Sequence, residues 1–267
     1  MDALRVVDSA TQLDATSRGT AVVCGSHGGL YAGWLAAMAG VRAIVLNDAG
    51  LGRSSAGVAG IAWLGGLGIP ACAIDYRSAR IADGADMMAN GVVSTVNDAA
   101  AALGCAPGQT CERASGILLK SPVHPLTQVP EIGETRLRIA NTGHRQVWAI
   151  DSIALARDSD SRCIVVTGSH GALPGGKPDT MLDIDVFAVF FNDAGGGKDG
   201  AGFARLPVLE ERGIAAATVS HFTARIGDGR STYDTGVISR LNEPARRLEM
   251  REGMSARDAV IRMVGLG

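Results

Sequence analysis

Two histidines recur in the same tripeptide setting, Ser26-His27-Gly28 and Ser169-His170-Gly171, each after a short β-branched run. Imidazole is the side chain whose ordinary pKa lies closest to neutrality. At a strand end, flanked by glycines that leave the backbone accessible, it suits a general base or a metal ligand. The adjacent hydroxyls of Ser26 and Ser169 are the groups such a base could activate. The plainer reading is a turn whose His caps a helix, and the recurrence of the motif favours the functional one.

A second pair of motifs is Asn47-Asp48-Ala49-Gly50-Leu51-Gly52-Arg53 and Asn192-Asp193-Ala194-Gly195-Gly196-Gly197-Lys198. A strand ends at Asn47 or Asn192, a Gly-rich turn follows, and a helix begins. Free backbone N–H groups and the positive end of the helix dipole favour an anion at such a place. Gly50, Gly52, Gly195 and Gly197 let a ligand approach the backbone, and Arg53 or Lys198 adds a cation after the last Gly. Packing alone is the competing explanation for such glycines. Asp48 and Asp193 are expected to polarise His27 and His170. The third motif, Ala-Arg-Ile-x-Asp-Gly, carries Arg80 and Arg225. These could clamp an anion, but an internal pair with Asp48 and Asp193 is the stronger expectation.

The motifs recur because the chain is a duplication. His27 and His170 are offset by 170 − 27 = 143, and Asp48 and Asp193 by 193 − 48 = 145, so the second copy gains two residues between them. The later offset also relates Arg80 to Arg225, Asp83-Gly84 to Asp228-Gly229 and Asn97 to Asn242, while Asp8-Ser9 answers to Asp151-Ser152. Ordered, collinear matches of this kind mark an internal repeat. The first unit spans residues 1–117, a connector 118–147, and the second unit 148–267.

Each copy reads as alternating strand and helix. Strands are expected at Thr20–Cys24, Val41–Leu46 and Ile69–Ile74, and at Cys163–Thr167, Val186–Phe191 and Ile214–Val219. Helices follow near Ser55–Leu67 and Gly200–Arg212, and a longer helix ends near Gly104 or Glu249. That alternation predicts an α/β fold of two tandem Rossmann-like repeats, with parallel sheets and helices on both faces. Ligands then sit beyond the carboxyl ends of the strands, where the polar motifs fall.

Composition narrows the function classes. Lys plus Arg number 25 against 27 Asp plus Glu, a net charge of −2, and aromatics are 4%, so a nucleic-acid footprint is not expected. The five cysteines lack CxxC spacing and are odd in number, which predicts a reducing, cytoplasmic setting. The first residues do not read as a signal peptide. The uncharged stretch 56–74 could suggest a membrane span, but the second copy places Arg205, Glu210, Glu211 and Arg212 there, so none is expected. Cys24 finds no match in the other copy, where Thr167 stands, so a symmetric Cys nucleophile is not expected; Lys120, Lys177, His124, His144 and His221 are likewise unmatched and read as surface or connector residues.

The strand-Ser-His-Gly motif, followed by a strand with a polar end and Ala-Gly-Leu-Gly, resembles caspase-like peptidases, including CHAT-type domains. The resemblance implies that His27 and His170 occupy the catalytic-histidine position. It places the nucleophilic Cys at about Asn47 and Asn192, so cysteine peptidase chemistry is not expected. The leading expectation is a hydrolase or lyase for a small anionic metabolite, with His27 or His170 as base and Asp48 or Asp193 as its partner. The binding residues would be Ser26, Gly28, Asn47, Gly50, Gly52, Arg53, Arg80 and their counterparts Ser169, Asn192, Gly195, Gly197, Lys198 and Arg225. No cofactor is expected, a divalent metal held by His and Asp being a variant with too few histidines for a zinc site. The alternatives are a non-catalytic binding or sensor protein with a pseudo-twofold cleft, and a homo-oligomeric structural protein.

Overall fold

The computed structural model describes residues 3–123, 128–141, 145–177 and 182–264. His124 and His144 lie outside them. The first repeat builds a sheet from β1 (Leu4–Val7), β2 (Ala21–His27), β3 (Ala43–Asn47), β4 (Ala71–Ile74) and β5 (Val93–Val96), in that spatial order. Strands β1 to β4 are parallel and β5 runs antiparallel at the edge. Along β3, Ile44 and Leu46 face α1 (Leu30–Ala39) and α2 (Ala59–Gly66), while Val45 faces α3 (Gly84–Asn90) and the C-terminal helix of the repeat. Apolar side chains therefore cover both faces, as a parallel sheet requires.

One expected element differs. The long helix read as ending near Gly104 is α3, then β5, then α4 (Asp98–Ala102), with α5 (Cys111–Leu118) closing the repeat. Gly91 ends α3 because a Cβ there would lie 2.4 Å from the Met87 carbonyl oxygen. The β-branched run Val93-Ser94-Thr95-Val96 then pairs with β4.

The second sheet runs β11-β10-β9-β8-β7-β6. Its strands are β6 (Arg136–Asn141), β7 (Gln146–Ile150), β8 (Ile164–His170), β9 (Ala188–Asn192), β10 (Ala215–Val219) and β11 (Ile238–Leu241). β7 to β10 are parallel and match β1 to β4; β6 and β11 are antiparallel edges. β6 comes from the connector, so part of that segment joins the second sheet. The helices are α6 (Arg205–Glu211), α7 (Gly229–Thr235), α8 (Glu243–Arg247) and α9 (Ala256–Val264). No described helix is long and apolar enough to cross a membrane.

The repeated Asn97 and Asn242 earn their places as hubs. Each buried amide caps a helix through Oδ1, accepting from Ala100 or Ala245, and also accepts from Ala71 of β4 or Ala216 of β10. Its Nδ2 donates to the Ile69 or Ile214 carbonyl at 2.9 Å. Asp8 and Asp151 likewise accept from the Gly84 and Gly229 amides at the starts of α3 and α7.

Glycines set the closest approaches. A Cβ on Gly57 would lie 2.1 Å from the Asp48 carbonyl oxygen, and one on Gly202 1.9 Å from that of Asp193. Gly116, in α5, has nothing within 4 Å of the same position. Gly57→Ala or Gly202→Ala should destabilise the chain by about 1–3 kcal/mol or more. Gly116→Ala should stabilise it by about 0.5–1 kcal/mol. Urea unfolding of the three variants checks both signs.

Candidate functional site in the cleft between the repeats

His27 is the last residue of β2 and His170 the last of β8, and each pairs in register with the Asn that ends the next strand. Their rings meet edge to face across the two repeats, with centroids 6.3 Å apart. Both line a cleft of about 840 Å³ that residues of both repeats and the connector enclose. Ser26 and Ser169 line it as well, but their hydroxyls accept from the Ala10 and Ile153 amides at 2.9 Å. Neither hydroxyl is hydrogen-bonded to a histidine. Gly28 is there for space, since a Cβ would lie 2.8 Å from the Gly57 carbonyl oxygen.

Loss of water around the rings holds both histidines neutral. Burial lowers the pKa of His27 to about 4. His170 falls to about 3 through burial, with the neighbouring His27 and Arg205 charges adding to it. A residue of the connector, Glu134, lines the same cleft beside Tyr31. Burial and the nearby Asp151 charge raise the Glu134 pKa to about 7. Arg205, Arg225 and Arg230 line the cleft as well, together with the carboxylates of Asp8, Asp151 and Asp228. Among the described residues, no group of three or more His, Cys, Asp or Glu is placed to hold a metal.

Asp48 and Asp193 do not partner these histidines. The Asp48 carboxylate accepts from the Gly50 and Tyr76 amides, at 2.9 and 3.0 Å. Asp193 accepts from the Gly195 and His221 amides and, at 3.0 Å, from the His221 ring. The difference sets their charges. Burial leaves the Asp48 pKa raised, whereas at Asp193 burial is outweighed by the His221 hydrogen bonds and the pKa is lowered. His221 is therefore a buried anchor, and the signal was its column: 221 − 145 = 76, the position of Tyr76 in the first repeat.

The Gly-rich turns also have another occupation. They lie outside the cleft and clasp the opposite repeat. The Arg53 amide donates to the His221 carbonyl at 2.7 Å and the Lys198 amide to the Tyr76 carbonyl at 2.9 Å. The Arg53 guanidinium donates to the Thr223 carbonyl at 2.8 Å, and Lys198 Nζ reaches Asp86 at 2.7 Å. A Cβ on Gly50 would meet His221 at 2.9 Å and one on Gly195 would meet Tyr76 at 2.5 Å. Gly52 and Gly197 have φ of +66° and +67°. Asn47 and Asn192 are buried, each accepting from the Ala49 or Ala194 amide at 2.9 Å.

Arg80 and Arg225 pair three residues onward instead of with Asp48 and Asp193. Arg80 binds Asp83 and, across the repeats, Asp199, both at 2.9 Å; Arg225 binds Asp228 at 2.6 Å. Of the residues marked by sequence, the structure thus brings Ser26, His27, Ser169, His170 and Arg225 to one cleft. Glu134, Tyr31 and Arg205 were missed because none has a like counterpart in the other copy. No protein-family model, no curated protein and no solved structure matches the chain.

Two measurements follow from the carboxylates. Asp193→Asn should cost about 1–3 kcal/mol at neutral pH. Because the folded pKa is lowered, that contribution is present above the unfolded value near about 4 and lost as pH falls further, so the gap to wild type should close in acid. Glu134 has the opposite sign. Its raised pKa favours folding below the unfolded value and loses that advantage as pH rises through about 7. Glu134→Gln should therefore gain on wild type between pH 5 and 8, by about 2 kcal/mol, in urea titrations across that range.

Proposed function

We propose that the protein is an enzyme, a hydrolase or lyase that acts on a small anionic metabolite held in the cleft between the repeats. One observation carries this reading: equivalent strand ends of two repeats place neutral histidines in a single cleft, beside a carboxyl group whose pKa lies near neutrality. Protein interiors seldom keep such groups together without use, and a pKa matched to the working pH is what proton transfer requires. Glu134 is the group suited to accept and return a proton. Arg205 and Arg225 are the cations of the cleft wall that the anionic end of a substrate would meet, Arg225 by exchanging its pair with Asp228, in place of the turns that carry Arg53 and Lys198. Cysteine peptidase chemistry lacks its nucleophile, since Asn47 and Asn192 stand at the resemblance's Cys position and Cys24, Cys72, Cys105, Cys111 and Cys163 are buried.

Incubation with a small-molecule metabolite extract, followed by mass spectrometry, tests the proposal. An anionic compound should be consumed, and Glu134→Gln should slow its loss by about 10²–10⁴-fold, the usual worth of a general acid–base group. A compound that raises the melting temperature but is returned unchanged would instead make the cleft a binding or sensor site.

A further inference from the structure

A backbone amide can donate only to a ring nitrogen that carries no proton. The Gly29 amide donates to Nδ1 of His27 at 3.1 Å, and the Ala172 amide to Nδ1 of His170 at 3.3 Å. A neutral imidazole has one N–H, so in both rings it stands on Nε2. Among the described residues neither Nε2 has a hydrogen-bond partner, and neither is one of the buried atoms left unpaired. Both are open to the cleft that the residues line. A general base would need a lone pair there. These rings offer a proton.

We propose that His27 and His170 are paired neutral donors that hold one carbonyl oxygen of the substrate and stabilise the negative charge that develops on it. The substrate class is then a small carbonyl acid. This rests on reading the cleft as an active site, and it assigns the histidines a role different from proton abstraction. Two donors each roughly 3 Å from one oxygen span at most about 6 Å. Ring centres 6.3 Å apart admit that spacing for the two Nε2 atoms. Neutrality matters as much as position. An imidazolium would hand its proton to the oxygen, and two of them would repel, whereas neutral N–H groups fixed by backbone amides need no rearrangement as charge builds.

The remaining step falls to Glu134. The C–H bond beside the carbonyl breaks, its electron pair moves into the carbonyl to give an enolate held by the two Nε2–H groups, and the proton forms an O–H bond on the Glu134 carboxylate. Tyr31, beside that carboxylate, is placed to orient it. Serine chemistry does not compete well, because Ser26 and Ser169 have no base within hydrogen-bonding reach and both cap turns.

Two measurements on the full chain test this. Nitrogen-15 NMR of wild type at neutral pH should show both His27 and His170 as the Nε2–H tautomer. Calorimetry with oxalate, a planar anion that copies the enolate of a 2-oxo acid, should give binding weakened roughly ten-fold or more by His27→Ala or His170→Ala, but only about three-fold by His27→Gln or His170→Gln, whose amide N–H reaches the Nε2 position. An Nδ1–H tautomer in either ring would overturn the pair. So would glutamine variants as weak as the alanine ones, alanine variants that bind like wild type, or a wild type that does not bind oxalate. The proposed function fails separately, if metabolite consumption does not depend on Glu134.

Discussion

Two backbone hydrogen bonds, from Arg53 to the His221 carbonyl and from Lys198 to the Tyr76 carbonyl, lock each repeat's Gly-rich turn into the other repeat. They are related by the duplication, since 53 and 76 answer to 198 and 221, so the same surface meets itself as in a twofold dimer. The turns can do this because they run left-handed, from Ala49 and Ala194 at φ of +49° and +48° onward. Left-handed backbone presents its amides outward and brings Gly50 and Gly195 against the opposing aromatic rings. Around the turns Ala49, Ile81, Ala82, Ala172, Ala194 and Ile226 form a small shared core. The carboxyl ends of both sheets are thereby held face to face, and His27 meets His170.

The clasp also explains why one residue type serves different ends in this chain. Asp48 and Asp193 sit at the same place in each repeat and spend their lone pairs on turn amides, so neither is left to polarise a histidine. At Asp193 the ring and amide of His221 in the same repeat keep the carboxylate charged; at Asp48 the equivalent Tyr76 gives its amide, and burial outweighs the hydrogen bonds. The cleft histidines escape that economy. Their Nδ1 atoms are taken by amides two residues on, and their second nitrogens remain for a ligand. Glu134 has no cationic partner among the described residues, and burial beside Asp151 raises its pKa to about 7, where Asp193 has His221 to offset burial.

Fold and duplication were legible in the sequence because both rest on local, repeated signals: β-branched runs, Asp-Gly helix starts and collinear polar motifs. The position of His27 and His170 followed from them, since a strand end in a parallel sheet is a fixed address. The roles of the turns were not legible. A Gly-rich turn that receives an anion and one that receives a tyrosine from another repeat carry the same residues, and only the partner decides. β5 and β11 were absorbed into a helix because four-residue strands carry too little periodicity to stand against the helical runs beside them. Glu134 lay in a connector that repeat matching sets aside, although a segment joining two halves is well placed to cross the cleft between them.

The departures from symmetry bear on how many ligands the proposed site would take. A perfect twofold arrangement would present two equal half-sites, one per histidine. Here Gly60 in the first repeat is Arg205 in the second, and that guanidinium lowers the pKa of His170 without a counterpart beside His27. The helix α1, with Tyr31, follows the first His-Gly motif, whereas a short turn at Pro174–Gly176 follows the second. Glu134 is single. Glu134, Tyr31 and Arg205, none with a like counterpart, therefore break the symmetry around a pair of equivalent imidazoles. On the proposed reading, the duplicated scaffold supplies the two donors, and the unduplicated residues orient a single substrate between them.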